Sequence, residues 1–85
     1  MRTESLILEN LIYNGNYSSV IGIFLKPEYF KDNNEKIIFT EIQKHISEYN
    51  KPPTIEWLSV NLSNRNDLNE VTFYKCEELL KAYKK

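Results

Sequence analysis

The sequence predicts an all-α fold, a compact bundle of five or six short helices forming a single domain over residues 1–85. Apolar residues recur at three- and four-residue steps through most of the chain, and only two glycines interrupt it. The single run with strand character has no second run to pair with, and an isolated strand is marginal. At 85 residues the chain can bury one core but has no room for a second domain. Its 41% apolar and 27% charged residues are globular rather than disordered proportions, so it should fold.

The first helix is expected from Thr3 to Asn14. Thr3 is an N-cap candidate, Glu4 suits the first turn, Leu8, Leu11 and Ile12 make a stripe, and Gly15 is a natural stop. From Ser18 to Leu25 the run "SSVIGIFL" is apolar nearly all round, and Pro27 ends it by pushing Lys26 out of the α region. Helix is preferred there over a lone strand, although Gly22 costs about 1 kcal/mol inside a helix. Pro27 then begins a brief turn, "PEYF", whose Tyr29 and Phe30 are expected in the core.

Asp32-Asn33-Asn34 supplies cap oxygens for a central helix. Ile38, Phe39, Ile42, Ile46 and Tyr49 form its inner stripe, with Glu35, Lys36, Glu41, Lys44 and Glu48 outside. Asn50-Lys51-Pro52-Pro53 forbids its continuation, and Thr54 caps the next helix, whose face is Ile55, Leu58 and Leu62. After the loop Ser63 to Asn66, a last helix is expected from Asn66 or Asp67, carrying Leu68, Val71, Thr72, Cys76, Leu79, Leu80 and Tyr83 inward.

Eleven basic and twelve acidic residues leave a net charge of −1 with no long block of one sign, which excludes a duplex-wrapping electrostatic footprint. The lean to lysine at the end, Lys75, Lys81, Lys84 and Lys85, suits the negative end of a helix dipole. The opening residues lack the apolar core of a signal peptide and no stretch approaches membrane-spanning length, so a cytoplasmic protein with no membrane contact is expected. Two N-glycosylation triplets, at Asn16 and Asn61, carry no weight without a secretion signal. Ten asparagines, nine lysines and nine isoleucines against one alanine fit an AT-rich coding sequence, as in a phage or low-GC bacterium.

Little in the chain suggests chemistry. A phosphate-cradling loop needs convergent glycine backbone, which Gly15 and Gly22 cannot supply, so no nucleotide-binding residues and no cofactor are expected. Glu41 and His45 lie one helical turn apart, but two ligands do not make a metal site, and His45 reads as a solvent-facing or helix-flank histidine. Cys76 stands alone beside core positions and reads as a buried structural thiol rather than a nucleophile. Glu77 and Glu78 diverge by about 100° around a helix and cannot flank one bond, so they read as a solvated face. No catalytic residue is assigned, and the ten tyrosines and phenylalanines fall mostly on core stripes rather than on a stacking platform for single strands.

The order of the segments adds a resemblance. Glu4-Ser5-Leu6-Ile7-Leu8 opens the first helix, Glu28-Tyr29-Phe30 forms an acidic-x-Phe turn, and Ile38-Phe39 precedes Thr40-Glu41-Ile42 on the central helix. After the proline break, Pro53-Thr54-Ile55-Glu56-Trp57-Leu58 and Leu62 give a capped helix with two leucines four apart, and the spacing to Leu68 and Val71 follows without a gap. Over nearly the whole chain this resembles the N-terminal domain of DnaB-type hexameric replicative DNA helicases, in the form carried by T-even-like phages. Bacterial members often have histidine where Glu35 stands and a glycine pair where Thr72-Phe73 stand, which turns the resemblance toward the phage version.

The resemblance implies a non-catalytic collar domain that self-associates in the parent hexamer and contacts primase and other replisome proteins in the primosome. It places ATP hydrolysis and DNA translocation in a separate motor domain, absent from this chain, and makes the infected host cytoplasm the expected location. It further implies that a helical hairpin follows the globular part, with the last helix abutting or beginning it. Interface anchors are then sought among aromatics: Trp57, off the Ile55-Leu58-Leu62 stripe, is the first candidate, followed by Tyr13 and Tyr74. The alternative is a small helical nucleic-acid binder using Asn61, Asn64, Arg65 and Asn66, or a host-regulating phage adaptor.

Overall fold

The computed structural model describes residues 3–14 and 24–83. Among these residues it is all-helical, with four α-helices and one 3-10 turn rather than five or six helices. They are α1 (Thr3–Tyr13), the turn Pro27–Tyr29, α2 (Asn33–Tyr49), α3 (Ile55–Ser63) and α4 (Glu70–Ala82). The helix expected across Ser18 to Leu25 falls mostly outside the described residues, as do the stop at Gly15 and the side chain of the cap candidate Thr3.

The 17-residue α2 is the hub, packing against α1, the 3-10 turn, α3 and α4. Its start is fixed by Asp32, whose side chain accepts from the Asn34 N–H at 2.9 Å. It stops at Asn50, which takes a left-handed conformation (φ 58°, ψ 29°) while its N–H donates to the Ile46 carbonyl. Asparagine tolerates that region and two prolines follow, so the helix cannot resume at once. Thr54 caps α3 as expected, accepting from the Trp57 N–H at 3.0 Å.

Leu8, Leu11 and Ile12 of α1, Ile38, Phe39, Ile42 and Ile46 of α2, and Leu58 and Leu62 of α3 are all buried. Cys76 and Leu80 of α4 close the core, with Phe30 and Tyr83 plugged in from the connecting segments. Phe30 leans on Phe39 with ring centroids 4.9 Å apart. Its neighbour Tyr29 is exposed instead of buried, meeting Phe30 edge-on from outside, because a 3-10 turn turns successive side chains to different sides.

Several polar expectations are corrected. Glu35 and Glu41 are buried rather than outside, and Tyr49, at the C-terminal end of the α2 stripe, is exposed. The last helix starts later than expected, capped by Asn69, whose side chain accepts from the Thr72 N–H at 2.8 Å. Asp67 is taken by Arg65, through bonds of 3.0 and 2.6 Å, and Arg65 reaches on to Glu41 at 3.2 Å. One arginine thus ties the α3–α4 loop to α2, with Glu41 almost enclosed. Val71, assigned inward from the sequence, is 64% exposed.

Candidate functional site

The three aromatic candidates sit in different surroundings. Trp57 is half-buried near the start of α3, its ring edge-on to His45 with centroids 4.4 Å apart. His45 is not solvent-facing: it is buried, stacks obliquely with Tyr49, and its Nδ1 lies 2.8 Å from the Lys51 carbonyl. That hydrogen bond clasps the turn after α2, so the imidazole is explained structurally. Glu41 points to Arg65, so the two potential metal ligands are engaged in separate contacts. Among the described residues no group of three or more His, Cys, Asp or Glu could hold a metal ion.

Tyr13, at the end of α1, donates its hydroxyl to the Tyr83 carbonyl and links the two ends of the described chain. It borders a mainly apolar cavity of about 520 Å³ between α1, the start of α3 and the end of α4. Tyr74 is 59% exposed on the outside of α4, touching only Phe73 among the aromatic rings of the described residues. Of the three candidates it alone is mostly in solvent.

Three further side chains are engaged within the fold rather than offered to a partner. Arg65, the cation of the nucleic-acid alternative, directs all three guanidinium nitrogens at carboxylates. The hydrogen bond to Asp67 raises the Arg65 pKa and holds the Asp67 carboxyl below its usual range, so both stay charged and paired at neutral pH. Asn61 is likewise turned back, donating to the Trp57 carbonyl at 2.9 Å. Glu77, read as solvated, accepts from Ser59 at 2.6 Å and pins α3 to α4.

Cys76 is fully buried, its sulfur 3.8 Å from the Asn34 carbonyl oxygen, and burial pushes its thiol up from 9.0 to about 11. The folded thiol therefore stays protonated where the unfolded one ionises. Stability linked to this group is present below pH 9.0 and is lost as pH rises toward about 11. Denaturant titrations across that window should show wild-type stability falling more steeply than that of Cys76→Ala. Parallel pH profiles would show that the thiol is not held neutral.

Exposed apolar side chains that the sequence analysis missed include Leu6 on α1, Phe24, Val60 on α3 and Val71 on α4. The signal for Val71 was present: nine residues before buried Leu80, it sits about 180° around the helix from it. With Tyr74 it puts two apolar side chains on the outer side of α4, among the exposed Lys75 and Glu78.

The comparison with protein families decides the relationship. The model of the DnaB-like helicase N terminal domain matches residues 1–84. The chain belongs to this DnaB-like N-terminal domain family. A DnaB-like replicative helicase of Enterobacteria phage T4 is 36% identical over 59 residues, covering 69% of this chain. The matched segment is 12% of that DnaB-like protein's length, so the chain corresponds to a small part of its curated relative. No solved structure matches. The family membership agrees with the resemblance drawn from the segment order, including its phage character. Among the described residues of this DnaB-like domain, no helix is long and apolar enough to cross a membrane.

Proposed function

We propose that this chain is the non-catalytic N-terminal unit of a phage replicative DNA helicase, supporting ring assembly and docking primase or other replisome proteins. ATP hydrolysis and DNA translocation are assigned to a motor region elsewhere in the parent protein, with the host cytoplasm as its location. The observation that carries this reading is the family match over residues 1–84, in a chain spanning only 12% of its T4 helicase relative. The exposed Tyr74 and Val71 support it, since exposed aromatic and aliphatic anchors are what an assembly surface needs. Trp57 offers a half-exposed edge to the same kind of contact, whereas the Tyr13 hydroxyl is already spent inside the fold.

The nucleic-acid alternative is disfavoured by the engagement of Arg65 with Glu41 and Asp67. The test of the leading reading is the parent gene beyond the Lys85 codon. Helices followed by a phosphate-binding loop and motor sequence are expected; a stop codon directly after Lys85 would contradict it.

A further inference from the structure

The segment from Phe24 to Lys31 alternates between core and solvent. Leu25 is half-buried and Phe30 buried, while Phe24, Lys26, Tyr29 and Lys31 are exposed. The backbone is extended at Lys26 and Phe30, which sends neighbouring side chains to opposite sides. Between them the 3-10 turn, with its three-residue period, brings Lys26 and Tyr29 to one side. Two exposed aromatic rings, Phe24 at 77% and Tyr29 at 45%, are thus interleaved with two lysines.

The segment is fixed to the body of the domain. Gln43 of α2 donates to the Leu25 carbonyl at 3.1 Å, the Phe30 N–H donates to the Pro27 carbonyl at 3.1 Å, and the Tyr29 ring is braced on Phe30. Half-buried Lys36 lies within about 20° of Gln43 around the axis of α2, so it adds a third cation on the side that borders the segment. None of the three lysines makes an ion pair among the described residues. Glu28 is the one carboxylate of the segment itself.

We infer that this surface binds single-stranded DNA, with bases stacked on Phe24 and Tyr29 and phosphates drawn to Lys26, Lys31 and Lys36. A single strand offers the two chemistries that the surface offers in return, flat base faces for the rings and a regular anionic backbone for the lysines. A duplex hides its base faces inside the stack, so the rings would have nothing to hold. The choice of DNA as the strand rests on the helicase reading proposed above. The surface is separate from Arg65 and the α3–α4 loop, whose guanidinium is engaged by Glu41 and Asp67. With three lysines the site is weak in one domain and gains strength when several copies are carried in one ring.

The test is fluorescence anisotropy of a labelled oligothymidylate of about sixteen nucleotides, titrated with the 85-residue chain. Binding is expected at low salt, and affinity should fall roughly twentyfold between about 50 and about 200 mM salt, the dependence for three phosphates of a single strand. Phe24→Ala and Tyr29→Ala should each weaken binding about fivefold or more. Lys26→Gln and Lys31→Gln should each reduce the salt slope by about 0.7. Glu28→Gln should tighten binding by removing the carboxylate, and Val60→Ala, on the exposed side of α3, should bind like wild type. All of these side chains are exposed, and circular dichroism checks that each variant is folded.

Absence of binding at low salt, aromatic variants that bind like wild type, or a duplex bound as tightly as the single strand would each overturn the inference. A poly-glutamate peptide that displaces the strand at equal charge would show that the surface reads charge alone, and tighter binding of oligouridylate would give it to RNA; either result would overturn it too. The helicase reading is decided separately, by the gene downstream of Lys85.

Discussion

Phe39→Ala should unfold the domain or bring it close to unfolding. Phe39 is fully buried at the middle of α2, the helix that every other element packs against, and its ring carries Phe30 and with it the turn Pro27–Tyr29. Truncating a buried phenylalanine costs about 3–5 kcal/mol, through lost burial and the cavity left behind. A domain of this length has roughly 4–13 kcal/mol in total, so the loss is a large share of it. Thermal unfolding followed by circular dichroism should show Tm falling by roughly 15 °C or more. Phe24→Ala is the control, because Phe24 is 77% exposed and its removal should change stability by less than about 0.5 kcal/mol. Equal shifts for the two variants would contradict the packing described here.

The second large effect is expected from the end of the chain. Tyr83 lies just beyond α4 yet is only 2% exposed, and its carbonyl accepts the Tyr13 hydroxyl. A chain ending at Ala82 loses both the ring and the clasp to α1, at about 3–4 kcal/mol. A chain ending at Tyr83, lacking only two lysines, should match the full chain within about 0.5 kcal/mol. Tyr13→Phe separates the two contributions, since it removes the hydrogen bond at about 1 kcal/mol while keeping the ring. Urea titration of the four chains gives the comparison. Equal midpoints for the chains ending at Ala82 and at Tyr83 would show that Tyr83 is not part of the core.

The elements governed by local physics were legible in the sequence. The α2 stripe of Ile38, Phe39, Ile42 and Ile46, the Asp32 and Thr54 caps, and the break at the double proline follow from helical period and capping alone. What was not legible depended on partners far along the chain. Glu41 looks like a surface residue in its own helix, and only Arg65, 24 residues away, makes its burial affordable. That same pairing removes Asp67 as a cap and passes the role to Asn69, a choice that the cap-capable Asn66, Asp67 and Asn69 cannot announce by themselves. His45 is buried because the turn behind it presents the Lys51 carbonyl, which no periodicity encodes.

On the surface the lesson differs. Tyr74, a candidate by residue type, is exposed, and Val71, listed with the last helix's stripe, is exposed too because its angular position lies opposite Leu80. Trp57 was picked for lying off its stripe, and it does, yet His45 reaches out to cover one side of it. Helical phase was the better guide in each instance, and residue type only supplemented it.

The most direct test of the central claim is native mass spectrometry of the parent helicase with and without residues 1–85, alongside primase capture by both forms. The intact protein should run as a closed ring that binds primase. The shortened protein should fall to smaller species at the same concentration and lose primase. An unchanged ring with unchanged primase binding would contradict an assembly and docking role for this domain.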